Sequence, residues 1–143
     1  HVYAFDTQTI AIHNSQQYLN TENLSDRASL HKLNHKDMLS VLPKFCIGNI
    51  GASMFNLGYL PGSEHLRTTQ PISTISALEI CCDLLCTGGK MSILCYPGHT
   101  TGTEETAEVL TWFKALNGTR FECLEPIHDQ NPKSPILLCL TRW

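Results

Sequence analysis

Charge is scarce in this sequence, and long apolar runs are missing from it. Aspartate, glutamate, lysine and arginine make up 16% of 143 residues and leave a formal net charge of −3. There is thus no global basic footprint, and any nucleic-acid partner has to be met by a local patch. No apolar stretch approaches the ~20 residues of a membrane-crossing helix, and no signal peptide is visible at the N-terminus. The expectation is an intracellular protein, cytoplasmic or organellar, with no membrane partner.

Several chemical signatures are missing too. No Gly-x-Gly-x-x-Gly follows a predicted strand, which leaves the phosphate-binding form of the dinucleotide fold unsupported. A P-loop, a Gly-x-Ser-x-Gly elbow and a zinc-protease helix are equally absent. The seven cysteines, Cys46, Cys81, Cys82, Cys86, Cys95, Cys123 and Cys139, include no Cys-x-x-Cys pair, the spacing of a zinc ribbon or redox motif, so no metal is expected. Cys95, Cys123 and Cys139 fall inside predicted strands, where a thiol behaves as a small hydrophobe. Reduced, buried thiols are expected rather than disulfides. Two glycosylation sequons, at Asn23 and Asn117, are short enough to arise by chance.

What is present is a strand–helix alternation in a chain long enough for one domain with a real core. Val2 to Phe5 reads as a buried strand ending in Asp6, and a modestly amphipathic helix follows over Thr7 to Leu19. A carboxylate at a strand end before a helix accepts from two vicinal ribose hydroxyls in nucleoside-binding folds; the same residue type is also an ordinary helix N-cap. Ala28 to Leu33 is a second strand running into Asn34-His35. His31, alternating with Leu30 and Leu33, is assigned to a solvated strand face, and His35, past the strand end, is the better ligand contact. Lys36 to Leu42 is a helical turn stopped by Pro43.

The centre of the chain is Gly51 to Gly62. It begins as a short apolar strand, Ile50 to Asn56, and breaks at Asn56 into a loop carrying Tyr59 with glycine and proline. A helix follows from Pro71, which suits the first turn, to about Cys86, with Ile72, Ile75, Leu78, Cys82 and Leu85 as its core stripe and Gly88-Gly89 as its left-handed end. The strand to Tyr96 then empties into Tyr96-Pro97-Gly98-His99. Two polar-tipped strand ends beside glycine and proline point to one shared pocket, against the plain alternative of two tight turns with surface polar residues. In the next helix Thr101 and Glu104 have capping-box spacing, and Glu105 is counted with the acids of the first turn. Arg120 to Ile127 and Pro135 to Thr141 form a terminal antiparallel pair. The order indicates an α/β sandwich with a mostly parallel sheet.

Four segments carry a family likeness: Val2-Tyr3-Ala4-Phe5-Asp6; Met54 to Gly62; Tyr96-Pro97-Gly98-His99 with Gly102 and Glu104-Glu105; and Asn131-Pro132 with Pro135. Together they resemble the putative rRNA methylase family of S-adenosylmethionine-dependent class I methyltransferases, understood as tRNA 5-aminomethyl-2-thiouridine methyltransferases. The resemblance implies a Rossmann-like class I methyltransferase sheet with S-adenosylmethionine as cofactor and tRNA as partner. Asp6 would hold the cofactor ribose, with Asn34 and His35 near the adenine. Asn56, Leu57 and Tyr59 would line the junction of methyl donor and target amine, and Tyr96 and His99 would close the substrate side. Tyr59 or Tyr96 could stack on the nucleobase, and His99 is the residue suited to proton removal near neutral pH.

Two departures from that pattern stand out. Relatives carry an acid before a Ser-His at the end of the strand that here ends Leu33-Asn34-His35. The family's first strand and its glycine-containing cofactor loop are absent, so the chain opens at what would be the second strand. The missing first strand would lie between those ending at Asp6 and Asn56. The expectation is a single N-terminally truncated domain, or one whose gap is filled by a partner chain or in a homodimer. The competing functional readings are a catalytically inactive methyltransferase-like assembly component and a methyltransferase acting on a non-RNA substrate.

Overall fold

The structure is a computed structural model that describes residues 1–57, 71–98 and 100–143. The chain falls into two compact units, His1–Pro43 and Lys44–Trp143.

The first unit is a strand–helix–strand repeat: β1 (Val2–Asp6), α1 (Thr9–Thr21) and β2 (Ala28–Lys32), followed by a 3-10 turn over His35–Ser40. β1 and β2 pair in parallel from Val2 opposite Ala28 to Asp6 opposite Lys32. Side chains alternate across a strand, so Val2, Ala4, Ala28 and Leu30 share one face and line an open groove of about 490 Å³ with Tyr18 and Leu19 of α1. The other face carries Tyr3, Phe5, Ser29 and His31. There the His31 ring stacks on Phe5 at 5.4 Å, and its Nε2 is buried with no hydrogen-bond partner among the described residues. His31 is thus a packed ring and not the solvated residue that alternation with Leu30 and Leu33 suggests. α1 ends with Asn23 at φ 56°, the left-handed conformation that asparagine tolerates after a helix. The core of this unit is thin, since Met38 is its one fully buried hydrophobic residue.

The second unit holds a four-stranded sheet in the order β3-β4-β6-β5, built from β3 (Ile50–Asn56), β4 (Leu85–Cys95), β5 (Phe121–Cys123) and β6 (Ile136–Arg142). β3 and β4 are parallel, whereas β6 runs antiparallel to both β4 and β5. Strands β1 to β4 keep the expected parallel pairing, and the terminal pair makes the second sheet mixed. Among the described residues β1 has a partner on one side only, β2, and β3 likewise only β4.

Two helices pack together beside this sheet: α2 (Pro71–Leu84), leaving the β3 side, and α3 (Thr100–Leu116), following β4. Met91, Ile93 and Cys95 of β4, Leu138 and Leu140 of β6 and Phe121 of β5 are buried with Ala77, Leu78, Val109 and Phe113 of the helices. Each fully buried large side chain contributes about 1.5–3 kcal/mol. α2 is two residues shorter than its apolar periodicity suggests, because Leu85 and Cys86 already belong to β4. The predicted stripe also begins wrongly: Ile72 is 84% exposed, while Ser73 and Thr74 are buried. Where β4 starts, a two-residue step from Ile50 to Ala52 faces a five-residue step from Leu85 to Lys90. Gly88 takes φ 78° there, and a Cβ on Gly89 would lie 2.8 Å from the Cys86 carbonyl oxygen and 3.0 Å from that of Ile50. The left-handed glycine therefore exists, but inside a strand irregularity instead of at a helix end.

Candidate active site

Each unit places its site candidates at the carboxyl ends of parallel strands, where ligands bind in open α/β sheets. In the first unit Asp6 ends β1, and its carbonyl accepts from Leu33 N–H at 3.0 Å. That bond brings the Asp6 carboxylate and the Asn34-His35 pair to one edge. Asp6 is half-buried, and its Oδ1 accepts from Gln8 N–H at 2.7 Å. Gln8, not Asp6, occupies the N-cap position of α1. The carboxylate thus braces the turn into the helix with one oxygen, while Oδ2 has no hydrogen bond to the described residues. Asn34 does the same for the following 3-10 turn, its Oδ1 accepting from Lys36 N–H at 3.1 Å. His35 is half-buried as the first residue of that turn.

In the second unit Asn56 stands opposite Leu94, and Leu57 N–H donates to the Leu94 carbonyl at 2.9 Å. Tyr96 follows the last residue of β4 directly, two positions past Leu94, so Asn56 and Tyr96 stand at neighbouring strand ends. Asn56 is exposed and Tyr96 half-buried. Leu57 is 2% exposed and belongs to the interior. Tyr59 and His99 lie outside the described residues.

The turn after β4 is braced from two directions. Thr103 Oγ1 donates to the Pro97 carbonyl at 2.8 Å, and a Cβ on Gly98 would meet the Lys133 carbonyl oxygen at 3.3 Å. The loop holding Lys133 is shaped by Asp129, whose carboxylate accepts from Asn131 N–H at 2.7 Å and Ser134 Oγ at 2.8 Å. Behind this turn lies a set of buried polar groups that the sequence reading missed. Glu105, 4% exposed, accepts from Thr74 Oγ1 at 2.6 Å. Because α3 starts at Thr100, Thr101 is inside the helix and is not its N-cap, and Glu105 sits in the second turn and not among first-turn acids. Burial, and then the charge of Glu105, pushes the Cys95 thiol up to about 12. Burial likewise raises Cys81 to about 11, opposed by a hydrogen bond with Ser53. These thiols are packing groups and poor nucleophiles.

All seven cysteines are free thiols, and among the described residues no group of three or more His, Cys, Asp or Glu side chains is arranged to hold a metal. No described helix is long and apolar enough to cross a membrane. The family model described as Putative rRNA methylase matches residues 2–142. The chain belongs to this family. It is 30% identical over 141 residues to the chloroplastic tRNA (mnm(5)s(2)U34)-methyltransferase of Arabidopsis thaliana, a match covering 96% of the chain and 51% of that protein. The chain therefore spans about half the length of this curated relative. Among solved structures it superposes on a putative rRNA-methylase from Clostridium thermocellum with a TM-score of 0.90 and 36% identity, covering 99% of the chain and 74% of that structure. It also matches a putative methyltransferase from Streptococcus mutans in complex with SAH, with a TM-score of 0.83 and 27% identity over 99% of the chain and 75% of that structure. The fold is the α/β fold of S-adenosylmethionine-dependent methyltransferases.

Proposed function

We propose that the chain forms most of a single S-adenosylmethionine-dependent methyltransferase domain that N-methylates an aminomethyl group on a tRNA wobble uridine. The observation that carries this reading is that Asn56 and Tyr96 stand at the carboxyl ends of adjacent parallel strands, in a chain of this family. The single-domain reading draws support from β1 and β3, each of which pairs on one flank only among the described residues. A relative named for methylation of mnm(5)s(2)U34 supports the tRNA substrate.

The residues present fit the nucleoside part of the cofactor. Asp6 Oδ2 makes no bond to the described residues and suits a ribose hydroxyl, and Asn34 and His35 share its edge to meet the adenine. When bound, the cofactor supplies an electrophilic methyl group. The chain's own residues then have a positioning task, because an in-line displacement gains most from oriented reactants. The target amine attacks only when neutral, and the Asn56 side-chain oxygen accepts its hydrogens and aims its lone pair. Tyr96 offers a ring face to the uracil, while Tyr59 and His99 are assigned to base stacking and proton removal. A buried face excluding water is supplied by Leu57 beneath Asn56.

The test is nucleoside mass spectrometry of aminomethyl-uridine tRNA incubated with cofactor and the full-length protein, wild type or Asn56→Ala. Removing the acceptor is expected to lower kcat about 100-fold while calorimetric affinity for SAH stays within about threefold. Unchanged turnover removes Asn56 from the mechanism, and a wild-type protein that binds no SAH overturns the enzyme reading in favour of an assembly role.

A further inference from the structure

The mechanism above leaves one buried ionisable group without a task. Glu105 lies at 4% exposure and accepts a 2.6 Å hydrogen bond from Thr74, which is wholly buried. A carboxyl group is a costly way to join two helices, since a well-packed apolar pair would hold them at least as firmly. What it adds is direction: a short bond between two fixed side chains permits one register of α3 against α2, whereas apolar surfaces slide.

The location of that register matters. α2 and α3 are the helices connected to β3 and β4, the strands whose ends carry Asn56 and Tyr96. Glu105 lies close enough to Cys95, the last residue of β4, for its charge to act on that thiol. Two residues before it on the same helix, Thr103 holds the Pro97 carbonyl at 2.8 Å, next to Tyr96. A contiguous path thus runs from Thr74 through Glu105 to Thr103, Pro97 and Tyr96. We infer that Glu105 is a positioning residue: locked by Thr74, it fixes the start of α3 and so sets where the Tyr96-Pro97-Gly98 turn stands relative to Asn56. The inference deepens the proposed site and rests on that reading for its catalytic consequence.

The experiment labels the full-length protein with 3-fluorotyrosine and assigns the Tyr96 resonance by its loss in Tyr96→Phe. Glu105→Gln keeps an oxygen for Thr74 to donate to, and the paired change Thr74→Val with Glu105→Met replaces the bond by an apolar contact. The expected result is one sharp Tyr96 signal in wild type and E105Q, and a broadened or split signal in the paired variant. Thr74→Val alone, which removes only the donor, is expected to broaden the signal and serves if the paired variant does not fold. In the methylation assay the paired variant is expected to lose about 30-fold or more in kcat, with cofactor affinity within about threefold, while E105Q recovers most of the rate. A Tyr96 signal unchanged in both the paired and the T74V proteins overturns the inference. If wild type methylates nothing, the functional proposal fails, and the fluorine spectra still decide whether Glu105 places Tyr96.

Discussion

Asp6 braces the fold with one carboxylate oxygen and, in the proposed site, meets a ligand with the other. Its Oδ1 is committed to Gln8 N–H, which explains why the turn into α1 forms where it does, and Oδ2 remains for a ligand. Of the two readings open to the sequence, the helix cap is not realised, since Gln8 holds the N-cap position, and the ribose acceptor is the one kept in the proposed site. Asp6→Asn separates the tasks of the two oxygens, because an amide oxygen still accepts from Gln8 but the charge is gone. The melting temperature is expected to stay within about 2 °C, whereas the dissociation constant for SAH measured by calorimetry should rise about 10- to 100-fold, the worth of a charge-assisted hydrogen bond. His31 and Glu105 were less legible. Alternation along β2 and acid near a helix start are local signals, and both residues are decided by neighbours far along or outside those patterns: Phe5 across the β1–β2 pair, and Thr74 on another helix.

At the level of elements, β3 is found at Ile50–Asn56, where its apolar run and terminal asparagine place it, and the start of α2 at Pro71 follows from proline's fixed φ. The end of α2 did not show in the sequence. Leu85 continues the helical apolar spacing, but pairing with Ile50 in the sheet wins over it. The helix end is then satisfied from a distance by Arg142 of β6, whose Nη1 donates to the carbonyls of Cys82 at 3.3 Å, Asp83 at 3.4 Å and Leu85 at 2.5 Å. No sequence rule links positions so far apart. Replacing Arg142 by Met keeps the aliphatic stem and removes the donors, with an expected cost of about 1–2 kcal/mol. The melting temperature should fall by roughly 3–8 °C, with kcat unchanged because Arg142 lies at the end of the sheet opposite Tyr96. A melting temperature equal to wild type in a fluorescence scan would show those carbonyls to be satisfied without it.

Across the whole chain the distribution of thiols sets an upper limit on tolerated pH. Cys81, Cys82 and Cys95 are raised from 9.0 to about 11, 12 and 12, burial being the first cause in each case. A raised folded value means that stability is fully present below pH 9, where both states hold the proton. It is lost as the pH climbs toward 11 and 12, because the unfolded chain ionises first. Each thiol ionised only in the unfolded state lowers stability by about 1.4 kcal/mol per pH unit. Urea midpoints are expected to be level up to about pH 8.5 and to drop steeply beyond it, with a shallower drop in Cys82→Ala/Cys95→Ala. Equal slopes in the two proteins would assign the loss to other groups. Much of this architecture was legible, since the family segments mark the strand ends and the apolar runs mark the strands. The antiparallel pairing of β5 with β6 was legible as well, whereas the place of β6 between β4 and β5 was not, because no local pattern records the contacts that put it there.

The uneven step at the start of β4 has a further effect on how the molecule accepts new residues. Five positions of β4 already face two of β3 there, and Thr87 and Gly88 are exposed. One extra residue between them would enlarge a bulge that the hydrogen-bonded ladder bypasses, leaving Met54 still across from Ser92. The same addition between Ser92 and Ile93 would turn every later side chain of β4 over, sending Ile93 and Cys95 out of the interior. The first position is thus a tolerant point for a short reporter tag, and the second is one where a single codon disrupts the strand that leads to the proposed site.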